Sequence, residues 1–423
     1  MIDYRKYILS NGLTVLTHEA WDTPLATVNV LYNVGSRDED PRRTGFAHLF
    51  EHLMFGGTER VPDFDAVVSS LGGDNNAFTN NDYTNYYITV PLEGLPTALM
   101  LEADRMEHLA LNAKALAVQQ RVVTEEYNQR YMNQPYGDMW LLMRPLCYKV
   151  HPYRWATIGA DIRHVSEATL EDVQAFHERY YRADNAILAV AAPMKHKEMI
   201  ERVCETWGVA CRQDAGGPDG ERCYARERVY PQEPEQLEAR RLEVMREVPS
   251  DAVYLAWPMC DHFGEDFRGC DLLSDVLCTG SSSRIYNNIV RPGGLVSEAD
   301  AYITGEAGQG LMVLSAKVLP GSSVDEVAEA LRKEAFVLTE EMLSENELEK
   351  VKNKFESTFV YSQYKAQDRA YTLCHYTWLG DTGLANREPE EYRKLTPYDI
   401  QRAAQEVFRP ERENMLVIRK KEV

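Results

Sequence analysis

Thr44-Gly45-Phe46-Ala47-His48-Leu49-Phe50-Glu51-His52-Leu53-Met54-Phe55-Gly56-Gly57 is the most informative stretch of this 423-residue chain. It is rich in Leu, Met, Phe and Ala and runs into two glycines, the pattern of a helix and its C-terminal stop. On such a helix His48 and His52 lie one turn apart on one face, and that spacing lets two imidazoles grip one metal ion. Glu51 stands beside His52, where its carboxylate reaches a water on the same metal. Histidine is scarce, at ten residues in the chain, so composition alone does not account for the triplet.

A catalytic zinc ion takes three protein ligands and keeps one position for water. The segment from Leu116 to Glu126 offers the third ligand. Val118, Val122 and Glu126 form an i, i+4, i+8 ladder, which predicts an inward apolar face ending in a carboxylate. Glu125 shares its face with Ala117 and Arg121, a more solvated set. Glu126 is therefore preferred, although spacing alone leaves the two glutamates nearly equal.

Working outward, the chain reads as two versions of one unit. In the first, a strand-like Thr27–Asn33 precedes the His48 helix. In the second, Ala252–Trp257 precedes Asp271-Leu272-Leu273-Ser274-Asp275-Val276-Leu277-Cys278-Thr279-Gly280. Setting Gly57 on Gly280 places Asp271, Ser274 and Asp275 where the first version has His48, Glu51 and His52. Tyr87–Gly94 likewise resembles Ser315–Gly321, and a helical segment follows each. Strands come in adjacent pairs, as in Gly73–Asn81 and Asn85–Pro91, so simple βαβ alternation is excluded. The expected fold is α+β: two homologous α/β-sandwich domains, each a sheet with helices packed on one face, related by internal duplication. Residues 1–211 form the metal-bearing N-terminal domain. Residues 212–238, which include Gly216-Gly217-Pro218-Asp219-Gly220, form a polar linker. Residues 239–423 form the second domain, without the motif.

Apolar residues make up 44% of the chain, enough for packed cores, and the formal charge of −20 argues against a nucleic-acid binder. The eight cysteines form no C-x-x-C pair. No apolar run is long enough to span a bilayer, and no signal peptide is visible. A cytoplasmic location is expected, with the periplasm open to a chain whose leader has been removed.

Thr44–Phe55, together with the second glutamate of Val122-Val123-Thr124-Glu125-Glu126, resembles the pitrilysin family of inverted-motif zinc peptidases. That family includes insulin-degrading enzyme and mitochondrial processing peptidase, and the chain is similar in size to its short bacterial members. The resemblance implies one Zn2+ per chain on His48, His52 and Glu126, with Glu51 as general base. It implies that Asn76, Ala77 and Phe78 belong to an edge strand that pairs with extended substrate, and that Arg291 contacts substrate from the second half. It takes Gly280–Tyr286 as a structural segment. Two positions depart from the family pattern. Gln119 stands where a glutamate is usual, and Glu298, or Ser297 in another alignment, stands where active relatives carry a tyrosine. The implied function is a zinc-dependent endopeptidase acting on peptides or unfolded segments, as a homodimer or with a related subunit. The alternative is a non-catalytic structural or assembly subunit, a class that usually loses the metal motif.

Overall fold

The computed structural model describes residues 1–213 and 222–421. In the first half of the sequence the strands are β1 (Tyr4–Leu9), β2 (Thr14–Glu19), β3 (Leu25–Tyr32), β4 (Asp74–Thr79), β5 (Thr84–Pro91), β6 (Ala186–Ala192) and β7 (Cys211–Gln213). The helices there are α1 (Phe46–Leu53), α2 (Phe64–Ser70), α3 (Leu95–His108), α4 (Ala113–Tyr127), α5 (Met139–Cys147), α6 (Arg163–Ser166), α7 (Leu170–Tyr180) and α8 (His196–Trp207). The second half holds β8 (Arg240–Arg246), β9 (Ala252–Pro258), β10 (Val296–Ile303), β11 (Leu311–Val318) and β12 (Asn414–Lys420). Its helices are α9 (Phe267–Cys278), α10 (Val324–Glu340), α11 (Glu345–Tyr361), α12 (Ala366–Leu379), α13 (Leu384–Arg393) and α14 (Pro397–Val407).

The duplication is plain in the topology. The first sheet runs β4-β5-β3-β6-β2-β1-β7 and the second β10-β11-β9-β12-β8. In each, one pair is parallel (β2 with β6, β12 with β8), and the strands on the other side are antiparallel. The helix before β6 and the helix before β12 open on the same capping box, Thr169 with Asp172 and Thr396 with Asp399.

The compact units differ from the expected 1–211 and 239–423 division. One comprises Met1–Tyr127, Trp155–Val229 and Phe359–Glu388; the other comprises Asn128–Arg154, Tyr230–Thr358 and Pro389–Val423. Each half of the sequence therefore gives one helix to the other unit, α5 to the second and α12 to the first, and these two helices hold corresponding places in the repeat. The reason is burial. From Ala26 to Tyr32 every residue of β3 is buried, so both faces of the first sheet need a cover.

On one face the cover is the main helical layer, with Phe50 of α1 stacked on Phe176 and Tyr181 at 5.0 Å each. On the other it is α12, whose Trp378 donates its indole N–H to Asn33 Oδ1 at 2.9 Å. Truncating a buried tryptophan of this kind costs about 3–5 kcal/mol. The second unit repeats the arrangement. Leu255, Trp257 and Val417 face α9, α10 and α14, while Tyr254, Ala256 and Leu416 face α5 through Met143 and Cys147. Helices on one face thus describe each main layer, and the exchanged helix adds a second cover.

The polar stretch 212–238 is also more than a tether where it is described. Tyr224 is buried and shares a hydrogen bond with Thr14 Oγ1 at 2.8 Å in the first unit. Gln236 is buried in the second unit, where its Oε1 accepts from Asn414 Nδ2 at 3.0 Å. Residues 214–221 of the expected linker lie outside the described residues.

Candidate metal centre

α1 is eight residues long and carries three of the four residues singled out in the sequence. Leu49 and Phe50 point into the core. This turns His48 and His52 together toward α4, with their rings edge to face at a centroid distance of 4.9 Å. α4 meets them with Glu126, whose Oε2 lies 3.2 Å from His52 Nε2 and 3.6 Å from His48 Nε2. Among the described residues this is the one group of three His, Cys, Asp or Glu side chains placed to share an ion. Tetrahedral zinc with nitrogen and oxygen ligands holds its donor atoms about 3.4 Å apart. The two separations bracket that value, so the residues fit the ion.

The ladder proposed for α4 does not hold. Val118 and Val122 are 36% and 43% exposed, and the buried positions of the helix are Leu116 and Val123. Glu126 faces the histidines because it follows Val123 by three residues. Glu125 is exposed, and Gln119 is half-buried on the same face as Glu126.

Glu51 is half-buried beside the cluster. Burial raises its carboxyl above the ordinary carboxylate range, and the Glu126 charge adds to this. Hydrogen bonds from the hydroxyl and backbone of Thr79, and the proximity of His52, pull it back. Thr79 is the last residue of β4, so the strand that borders the site also holds its candidate base. The sequence reading missed Thr79.

β4 is the edge of the first sheet, paired only with β5 among the described residues. Asn76 is exposed, and its side-chain oxygen accepts from Ala77 N–H at 2.8 Å. Phe78 is 37% exposed and packs edge-on against Tyr371 of α12, with ring centroids 5.5 Å apart. All three sit on an open strand edge, the arrangement that accepts a further strand.

Arg291 lies in the other unit, just after the π-helical turn Tyr286–Val290, and is exposed. Its Nη1 donates to Asn287 Oδ1 at 3.4 Å. Ser297 and Glu298 are exposed on β10, and Tyr302 on the same strand is half-buried against Trp140. In the neighbouring Gly280–Tyr286 segment, Arg284 is tied to Glu347 at 3.0 Å.

Family models match both halves: the insulinase (peptidase family M16) model over residues 14–139, and the peptidase M16 inactive-domain model over residues 167–355. The chain belongs to the M16, or pitrilysin, family. Zinc protease PqqE of Helicobacter pylori is 29% identical over 415 residues, covering 95% of this chain and 89% of that protein. The crystal structure of a protease from Helicobacter pylori superposes with a TM-score of 0.89 at 26% identity, covering 99% of this chain and 100% of that one. Pitrilysin itself shares the fold, with a TM-score of 0.77 at 17% identity over 100% of this chain and 45% of its own. The M16 family members it resembles include proteins named zinc proteases, which places the chain among peptidase-type proteins. No helix among the described residues is long and apolar enough to cross a membrane.

Proposed function

We propose that this chain is a zinc-dependent endopeptidase that cleaves peptides or unfolded polypeptide segments. The observation that carries the reading is the convergence of His48, His52 and Glu126 beside a half-buried Glu51. Zinc bound by the three ligands would supply a polarised water with a pKa of about 7.

The rest of the chemistry belongs to the chain. Glu51 accepts the proton of the attacking water and returns it to the leaving amine. Its raised affinity for a proton suits this double duty. Thr79 holds the Glu51 carboxylate at the end of β4, so an extended peptide added along Asn76, Ala77 and Phe78 comes past the base. Pairing through the main chain tolerates many sequences. Arg291 is proposed as a substrate contact from the second half.

The chain covers 45% of pitrilysin, which leaves that protein room for a second such half. This supports a working dimer here, either of two copies or with a related subunit. Metal analysis and a peptide-library digest of the chain, alone and mixed with a related subunit, test the reading. The expected result is one zinc per chain with cleavage inside peptides. A zinc-loaded protein that cleaves no peptide in either setting overturns it.

A further inference from the structure

The helix that carries His48, Glu51 and His52 begins without a side-chain cap of its own. Its N-cap is Gly45, in the left-handed region at φ 87°. A side chain there would also meet the Ile158 carbonyl oxygen at 2.7 Å and Val165 Cγ2 at 2.8 Å. A short helix with uncapped N–H groups is a weak mount for metal ligands. The cap comes instead from Glu39, six residues earlier. Its Oε2 accepts from Gly45 N–H at 2.9 Å and its Oε1 from Ala47 N–H at 2.8 Å.

Glu39 is 6% exposed. Its loop is fixed on both sides. Arg37 pairs with Asp82 at 2.8 Å, and Trp155 donates its indole N–H to the Ser36 carbonyl at 2.9 Å and also bonds the Glu39 carboxyl. Just before the helix start, Thr44 Oγ1 shares a hydrogen bond with His164 Nδ1 at 2.9 Å.

We infer that Glu39 is a positioning residue for the metal centre: it grips the backbone immediately before His48 and sets how tightly the two histidines hold their ion. A carboxyl group that accepts from two backbone N–H groups fixes the rotation and axial position of the first turn, and hence the place of His48. Burial pushes this carboxyl up to about 8, against the pull of the three N–H groups that hold it, so the grip is one of geometry and not of charge. The inference rests on the metal reading of His48 and His52.

Two substitutions test it, read by zinc affinity in chelator competition and by thermal stability, with the visible spectrum of the cobalt-substituted protein as a report on ligand geometry. Glu39→Gln keeps the shape but turns an NH2 toward a backbone N–H. Zinc affinity is expected to fall about 10- to 100-fold, the range for partners that orient ligands, and the cobalt spectrum to change. Glu39→Asp keeps the carboxyl group with a shorter reach and is expected to fall between Glu39→Gln and the wild type. A folded Glu39→Gln protein with lower thermal stability but unchanged zinc affinity and cobalt spectrum overturns the inference and makes Glu39 a helix cap only. If Glu39→Gln does not fold, Glu39→Asp decides, and zinc affinity equal to wild type overturns the inference. Failure of the wild-type protein to bind zinc would instead sink the metal reading itself.

Discussion

α1 and α9 hold the same place in the two copies, and their differences show what the candidate metal centre replaces. Where α1 has His52 and α4 answers with Glu126, α9 has Asp275 and α11 answers with Lys354, Nζ to Oδ1 at 2.8 Å. The other two positions of α9 are also used up in structure. Asp271 Oδ2 accepts from the Tyr392 hydroxyl at 2.7 Å, and Ser274 Oγ donates to the Asp271 carbonyl at 2.8 Å. The architecture calls for a tie between these two helices. The second copy makes it directly with opposite charges. The first makes it from three groups that each present a lone pair to one point, an arrangement that calls for a cation between them.

The comparison breaks most sharply at Glu51. Glu51→Gln is expected to lower kcat on a fluorogenic peptide by about 100- to 10,000-fold, the contribution of a general-base group, while zinc content by mass spectrometry stays at wild type. Substantial remaining activity would remove Glu51 from the chemistry.

The tie itself comes next. Glu126→Gln should weaken zinc binding by more than the ~100-fold typical of losing an outer partner, measured by chelator competition. Asp275→Asn cuts the corresponding tie in the second copy. Zinc affinity should stay unchanged, and stability should fall by about 1 kcal/mol or less because the Lys354 side chain is 43% exposed and water screens the pair. Equal effects of the two substitutions on zinc would show that the copies do not differ as described.

Acid should separate the copies further. His177, on α7 beneath α1, stacks on Tyr181 at 5.6 Å, and burial lowers its pKa from 6.5 to about 4. Between those values the unfolded chain takes up a proton that the folded chain refuses, so stability falls as pH drops, by on the order of 3 kcal/mol by pH 4. Ala404 occupies the corresponding position in α14. Hydrogen exchange followed from pH 7 to pH 4 should show α1 opening before α9, and His177→Ala should flatten the difference.

The smallest effect belongs to Thr79→Val. Thr79 lowers a carboxyl that burial raises. Without the hydroxyl, Glu51 should hold its proton to higher pH. The acid limb of kcat/KM should move up, with kcat lower by about 10-fold, as loss of one hydrogen bond to a charged group allows. An unmoved limb would show that Thr79 does not hold the base.

The sequence made α1 legible because its chemistry is local: residues three and four apart on one helix must share a face. The repeat was legible because strand pairs and glycine stops recur in order. Glu126 was reached through the wrong neighbours. Val118 and Val122 read as core because they are apolar, yet the buried stripe runs through Leu116 and Val123. Helical periodicity fixes which residues share a face but not which face turns inward. The exchange of α5 and α12 left no local trace, since an apolar helix does not record which sheet it covers. Glu39 and Thr79 act across loops and strands. The one hint was Gly45 itself, a helix start with no side chain to cap it.

That exchange has a consequence for how the protein is made. The first sheet has all its strands once Gln213 has left the ribosome, but Cys374 and Trp378, which cover its second face, are not yet synthesised. They follow about 160 residues later, on the order of ten seconds at ordinary rates of translation. For that interval an apolar sheet face stands bare on the nascent chain. A message broken before the codons for α12 yields a half that carries the candidate metal centre but lacks the helix that covers the second face of its sheet.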